Sequence, residues 1–210
     1  MSSRARIPGP GWPLLTILLS ASLATAAETT APDLGALAAI QAQRTSLAGS
    51  FMWSIQKDGD ARHQIGAFAL DRTAERSRYE VRMSNPDGSE LKRWCSDGTQ
   101  SWQIEQLLEG ETPDVLEGEN PDIRRVIACV WLDLPLLEKD FAATYDPTAE
   151  TLTLTPRDQA LARSLATVTV RLKDHRPLAV ILEDPQQGRI VVTLADVTMD
   201  QPVDERRFRR

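Results

Sequence analysis

Few residues in this chain are of types that do chemistry, and their spacing is unpromising. Its 210 residues include two histidines and two cysteines. His63 and His175 both stand in polar, turn-like sequence, where a histidine reads as a surface residue rather than a base or ligand. Cys95 and Cys129 have no histidine near them in sequence, so neither reads as an activated nucleophile. Two other roles stay open for them, packed thiols or a single disulfide. Carboxylates are plentiful, yet the chain has no GxSxG, no phosphate-binding P-loop, no HExxH and no CxxC. The acidic run from Glu109 to Asn120 reads as a solvated loop, because metal ligation needs a fixed spacing that it lacks. The expectation is a protein that is not an enzyme, with no cofactor and no metal site.

What the chain does carry is a pattern of elements around one hairpin, Leu91 to Glu105. Asp97-Gly98 sits between two runs that alternate apolar and polar residues, and Asp-Gly favours a two-residue type I′ turn. That turn sets Ser96 opposite Thr99, Cys95 opposite Gln100, Arg93 opposite Trp102 and Leu91 opposite Ile104. Leu91, Cys95, Trp102 and Ile104 then share one face, with Arg93 among them.

The flanking chain fits the same picture. Residues 1–26 read as a signal peptide, with Arg4 and Arg6, the apolar core Pro13 to Leu23, and the small-residue site Ala24-Thr25-Ala26. Residues 27–210 read as one domain in an extracytoplasmic compartment. With 24 Lys+Arg against 30 Asp+Glu the chain is acidic, which argues against a nucleic-acid partner. A helix is predicted from Ala31 toward Arg44, ended by Gly49, with strands over Ser50–Gln56, Gln64–Leu70 and Arg78–Met83. Lys57 to Arg62 reads as a turn. Asn120 and Pro121 open an amphipathic helix with Ile123, Val126, Ile127, Val130, Trp131 and Leu134 on one stripe, which Pro135 stops or kinks. Strands return at Thr151–Thr155, Thr167–Lys173, Leu178–Glu183 and Arg189–Ala195. The fold class is α+β, mainly β: one curved antiparallel sheet with helices packed on one side. Leu91, Trp102 and Ile104 on the sheet and Ile123, Ile127, Val130 and Trp131 on the helix are the candidate walls of an apolar site.

The segment Cys95-Ser96-Asp97-Gly98-Thr99-Gln100-Ser101-Trp102 resembles the SDG-x-x-x-W hairpin of the LolA family, periplasmic carriers of outer-membrane lipoproteins. Leu47–Phe51, Gly66–Arg72, Leu152–Pro156, Val168–Asp184 and Val203–Phe208 resemble further family segments in the same order. The chain departs from the pattern at Trp53, where a Gln is common, at Thr73, where Pro is frequent, and in its two cysteines. The resemblance implies an incomplete antiparallel β-barrel with a helical lid over an apolar cavity, in a monomeric, soluble periplasmic protein. It implies acyl chains of lipoproteins, or a related lipid, as cargo, with an inner-membrane ABC transporter and an outer-membrane acceptor as partners. It also implies that Arg72 latches the lid by hydrogen-bonding lid carbonyls. Members of this fold also serve as envelope sensors, so a regulatory module that responds to lipid or mislocalised lipoprotein is the second reading. A Cys95–Cys129 disulfide would tie lid to hairpin.

Overall fold

In the computed structural model, residues 32–73, 76–84, 90–105, 112, 114–186 and 188–209 are described. The expected signal peptide, 1–26, lies outside them. Strand β1 (Ser46–Lys57) pairs with β2 (Asp60–Arg72) along its whole length, from Ser46 opposite Asp71 to Lys57 opposite Asp60. Asp58 (φ 51°) and Gly59 (φ 89°) make the turn between them, both in the left-handed conformation that a two-residue type I′ hairpin requires. The expected turn over Lys57–Arg62 therefore contracts to two residues.

On its other side β1 pairs with the last strand, β11 (Gly188–Met199), so the two ends of the sheet-forming chain meet in the middle of the sheet. Helix α1 (Pro32–Ala42) has already ended before Gly49, which lies inside β1. Gly49 sits at a register shift between Ala48 and Ser50, where an added Cβ would come within 2.8 Å of the Ala195 carbonyl. A close backbone approach, not helix termination, is what this glycine serves.

Two arms grow from this centre. One runs through β3 (Ser77–Ser84), β4 (Glu90–Ser96), β5 (Ser101–Glu105) and β6 (Asp114–Glu117). The other runs through β10 (Arg176–Asp184), β9 (Thr167–Lys173), β8 (Thr151–Pro156) and β7 (Phe141–Asp146). Among the described residues the result is an 11-stranded antiparallel sheet whose outermost strands, β6 and β7, do not pair with each other. It is curved, as the strand pattern predicts, and unclosed, an incomplete barrel, as the resemblance implies. Two of its strands lie where the sequence predicts none: β6 falls within the acidic run that reads as a loop, and β7 has a weak pattern, FAATYD. Both are edge strands, which pairing on one side suffices to hold.

The Asp97-Gly98 hairpin has a longer turn than its sequence suggests. Cys95 pairs with Trp102 and Arg93 with Ile104, so four residues, 97–100, form the connection. The Asp97 carboxylate accepts from the amides of Thr99 (2.7 Å) and Gln100 (2.9 Å), and the Ser96 hydroxyl donates to the Gln100 carbonyl (2.8 Å). Those amides, Gln100 first, hold the Asp97 carboxyl below the usual carboxylate range. Asp97 keeps a negative φ, which type I′ geometry forbids. The register moves by two residues, and a shift of two preserves which side chains share a face.

Helix α2 (Pro121–Trp131) starts as expected, with the Asn120 side chain accepting from the amides of Asp122 and Ile123. It ends at Leu132, whose φ of 56° is left-handed, before Pro135 is reached. Pro135 instead lies in the first turn of a second helix, α3 (Leu134–Asp140), capped by Asp133. A short helix, α4 (Gln159–Ala162), completes the set. Side chains from α1, α2 and α3 pack with one face of the sheet in a single core that includes Leu37, Ile123, Val130, Phe68, Val170 and Val180.

The opposite face is ionic where β3 and β4 cross it. Glu80 is fully buried and meets three arginines: Arg82 at 2.8 Å, Arg93 at 2.9 Å and Arg207 at 2.6 Å. Arg93 also donates to the carbonyls of Arg207 and Arg209, and Phe208, 1% exposed, lies under the Arg78 guanidinium. This carboxylate thus fixes the C-terminal 3₁₀ turn (Glu205–Phe208) to the sheet. Removing it leaves three guanidiniums without their shared partner. Glu80→Ala is expected to cost about 3 kcal/mol, the low end for a broken buried pair because Arg82 reaches water. Urea unfolding measures this, and an unchanged midpoint would contradict the assignment.

Candidate functional site

The stripe on α2 faces the sheet across an apolar slot. Ile123, Val126, Ile127 and Val130 roof it, and Phe51, Phe68, Val81, Met83 and Val192 are among its floor residues. Gly66 makes room for part of that floor, since a Cβ there would run into the Phe51 ring and the Arg82 carbonyl. Every residue lining the slot is apolar. The space in it is about 30 Å³, room for a water or two, so α2 lies close against the sheet.

Beside the slot, between α2, α3 and the β2–β5 arm, a larger groove of about 680 Å³ opens. Leu70 and Ile127 belong to both spaces. Arg72, at the end of β2, bridges sheet and lid here. Its Nη2 donates to Asp133 Oδ2 at 2.8 Å, and its guanidinium lies 4.8 Å from the centre of the Trp131 ring. Burial lowers the Arg72 pKa, with the Asp133 charge opposing. Burial likewise raises the Tyr79 hydroxyl in the same groove. The expectation that Arg72 bonds lid carbonyls is corrected: its partner is a carboxylate. Asp133 is available because its other oxygen accepts the Leu136 amide, capping α3 where the chain leaves α2.

The structure brings Ile123, Ile127 and Val130 into the slot and Trp131 into the adjoining groove. It does not bring the expected hairpin face to them. Trp102 and Ile104 share a face with Cys95 and Arg93, on the side of the sheet covered by the C-terminal segment. Leu91 lies in β4, with its side chain outside the described residues. Trp94 holds the lid side instead: it is buried in the core shared with α2, and its indole N–H donates to Gln103 Oε1 at 3.0 Å. A signal for this was present. Arg93 among the apolar residues of the chosen face marks that face as ionic, whereas β3 offers Tyr79, Val81 and Met83 on the face of Trp94.

The same geometry excludes the disulfide. Cys95 and Cys129 are both free and buried. Cys129 lies in the core between α2 and the sheet, and Cys95 points to the other face, 4.0 Å from the Arg209 carbonyl. The sheet itself separates them. Among the described residues, no group of histidine, cysteine or carboxylate side chains is placed to hold a metal ion, and no helix is long and apolar enough to cross a membrane.

An unclosed antiparallel sheet with a helical lid is the architecture that the sequence resemblance implies, and the chain has it. The fold is LolA-like. No family model matches the chain, and no curated protein is significantly similar to it in sequence. Among solved structures it is similar to MucB in the Pseudomonas aeruginosa MucA/MucB complex, at 12% identity and a TM-score of 0.49 over 85% of this chain. It spans 60% of that MucB chain. It is also similar to a putative outer membrane lipoprotein-sorting protein domain from Vibrio parahaemolyticus, at 7% identity and a TM-score of 0.44, covering 84% of this chain and 94% of that one. A LolA superfamily protein from Nitrosomonas europaea is similar at 12% identity and a TM-score of 0.44, over 85% and 96% of the two chains.

Burial pushes the Cys129 thiol up from 9.0 to about 12. The folded protein therefore holds this proton more tightly than the unfolded chain does. The resulting stability is complete below pH 9 and is lost as pH rises from there toward 12. Urea midpoints for wild type and Cys129→Ala from neutral pH to about pH 10.5 are expected to show a steeper alkaline loss in wild type. Parallel pH profiles would contradict the burial.

Proposed function

We propose that this protein is a non-enzymatic periplasmic carrier that takes acyl chains of lipoproteins, or of a related lipid, into the slot beneath α2. In this reading it receives them from an inner-membrane ABC transporter and yields them to an outer-membrane acceptor. The observation that supports it is the lining of the slot, apolar on both sides and polar nowhere. An ordinary core could also be wholly apolar, but here a single helix forms the entire roof. That helix reaches the sheet through aliphatic side chains and is tied at its C-terminal end by one ion pair with solvent access, Arg72–Asp133.

At about 30 Å³ the slot is far smaller than the ~300–1,000 Å³ of a typical ligand site, so loading requires α2 to lift. The energies allow it. Each roofing side chain gives up about 1.5–3 kcal/mol if exposed, while an acyl chain gains about 0.8 kcal/mol per methylene buried. A chain of ~14 methylenes thus gains ~11 kcal/mol, comparable with the ~6–12 kcal/mol for four roof residues. The exchange is close to balanced, which suits a carrier that must also release. The absence of recognisable catalytic motifs supports carriage over catalysis.

Titration with a fluorescent fatty-acyl probe tests the reading. Ile127→Glu and Val130→Glu are expected to lose probe binding, because each would place a charge in a dry slot. Lys173→Glu, on the exposed end of β9, is expected to bind as wild type does. Circular dichroism of each variant separates lost binding from lost folding. A wild-type protein that binds no probe ends the proposal.

Transfer tests the latch. Arg72→Leu removes the bond to Asp133 and the stacking on Trp131, the contacts that favour the closed, empty state. Loaded variant is expected to release probe to acceptor vesicles several-fold more slowly than wild type. Equal release from the two would show that Arg72 does not govern the lid. Binding without any transfer to vesicles would favour the sensor reading.

A further inference from the structure

The charged residues lining the 680 Å³ groove beside the slot do not balance, and this imbalance points to the chemistry of its ligand. Among the described residues its charged lining is Arg72, Arg78, Arg124 and Lys139 against Asp71, Glu119 and Asp133, an excess of one positive charge. Each carboxylate is already engaged: Asp133 by Arg72 at 2.8 Å, Asp71 by Arg78 at 2.6 Å, Glu119 by Arg124 at 2.7 Å. Lys139, exposed at the end of α3, has no ion-pair partner among the described residues. Trp131, only 7% exposed, lines the same groove, and its indole N–H finds no acceptor. A buried N–H without an acceptor costs free energy, so such groups are normally satisfied by protein, water or ligand.

The groove is also of ligand size, and it adjoins the slot. Its volume falls within the ~300–1,000 Å³ usual for small-molecule sites. Leu70 and Ile127 line both spaces, so a molecule occupying both would pass from a polar to an apolar lining over one step. That is the layout for an amphiphile. A cationic head would meet a surplus of like charge. A neutral head would leave Lys139 without a counter-charge. An anionic head gives Lys139 its counter-charge and, once α2 lifts, offers the shielded Trp131 N–H an acceptor, through charge-assisted hydrogen bonds that are stronger than neutral ones.

We propose that the groove is the head-group half of one amphiphile site and takes an anionic phosphate or carboxylate head whose acyl chain enters the slot. The proposal rests on the acyl-binding reading above. Lys139 supplies the uncompensated charge, the Trp131 indole donates to a head-group oxygen, and the three ion pairs set the groove's shape. Because Lys139 is exposed, its contribution weakens with added salt.

The test titrates purified protein with three probes that share one fluorescent acyl chain: a phosphatidylglycerol, a free fatty acid and a neutral diacylglycerol. At low salt an anionic probe is expected to bind about tenfold more tightly than the neutral one, and raised salt is expected to narrow the gap. Lys139→Glu is expected to weaken the anionic probe about tenfold and leave the neutral probe unchanged. Trp131→Phe keeps the ring and removes the N–H, and is expected to weaken the anionic probe about threefold. Whichever anionic probe binds more tightly identifies the source of the head, phosphate or carboxylate, and either result supports the proposal. Equal binding of anionic and neutral probes, or a Lys139→Glu protein that binds the anionic probe as wild type does, overturns the head-group assignment and leaves acyl binding standing. Failure of wild type to bind any of the three overturns both.

Discussion

An antiparallel sheet that curls without closing leaves its concave apolar face to be covered from elsewhere, and in this protein α2 roofs its central part. Phe51, Phe68, Val81 and Met83 on one side and Ile123, Ile127 and Val130 on the other form a contact with no polar component. Hydrophobic contact is non-directional and scales with the area removed from water. A second apolar body of suitable shape satisfies the floor as well as the helix does. Hydrogen bonds across the slot would have fixed one partner. Among the described lining residues no such bond is made, and the contact fixes no single partner.

The directional interactions are placed around that contact rather than within it. Asn120 caps the start of α2 and Asp133 caps the start of α3, so both ends of the lid are set by short polar contacts. Arg72 reaches Asp133 from the sheet, and Trp131 offers it a ring face. With both partners about a quarter exposed, this pair contributes modestly to stability. On the other face the rule is reversed. Glu80 is fully buried among three arginines, and the C-terminal turn is held there by charge and by Phe208. One face of the sheet is covered through charge, the other through apolar contact.

The alternation of β4 links the two faces. Trp94 and Cys95 are neighbours in the chain, and the pleat sends one beneath the lid and the other toward the C-terminal segment. Ionic and apolar clusters therefore sit back to back across a single strand, with Glu80 paired to Cys95 and Val81 to Trp94. A substitution on either face is felt by its own cluster and reaches the other only through the backbone.

Local chemistry settled much of this in the sequence. Asp58-Gly59 closes its hairpin because both residues accept positive φ, and Asn120-Pro121 opens α2 because cap and proline need nothing beyond their neighbours. β9 runs over the predicted Thr167–Lys173, and the stripe on α2 named three of the four side chains that roof the slot as site residues. The rest depended on partners distant in sequence. Asp97-Gly98 has the same dipeptide as Asp58-Gly59 but a different turn, since the Asp97 carboxylate captures the Thr99 and Gln100 amides. Within β4 and β5 the choice between Trp94 and Trp102 as the wall beneath the lid turns on Arg93 alone, because both faces carry large apolar residues. Which face is covered by a helix and which by the C-terminus is fixed by β3, where Glu80 and Val81 point opposite ways. The sequence shows period-2 alternation, but only the packed sheet has a side for each phase, and that is why Cys95 and Cys129 end on opposite sides of it.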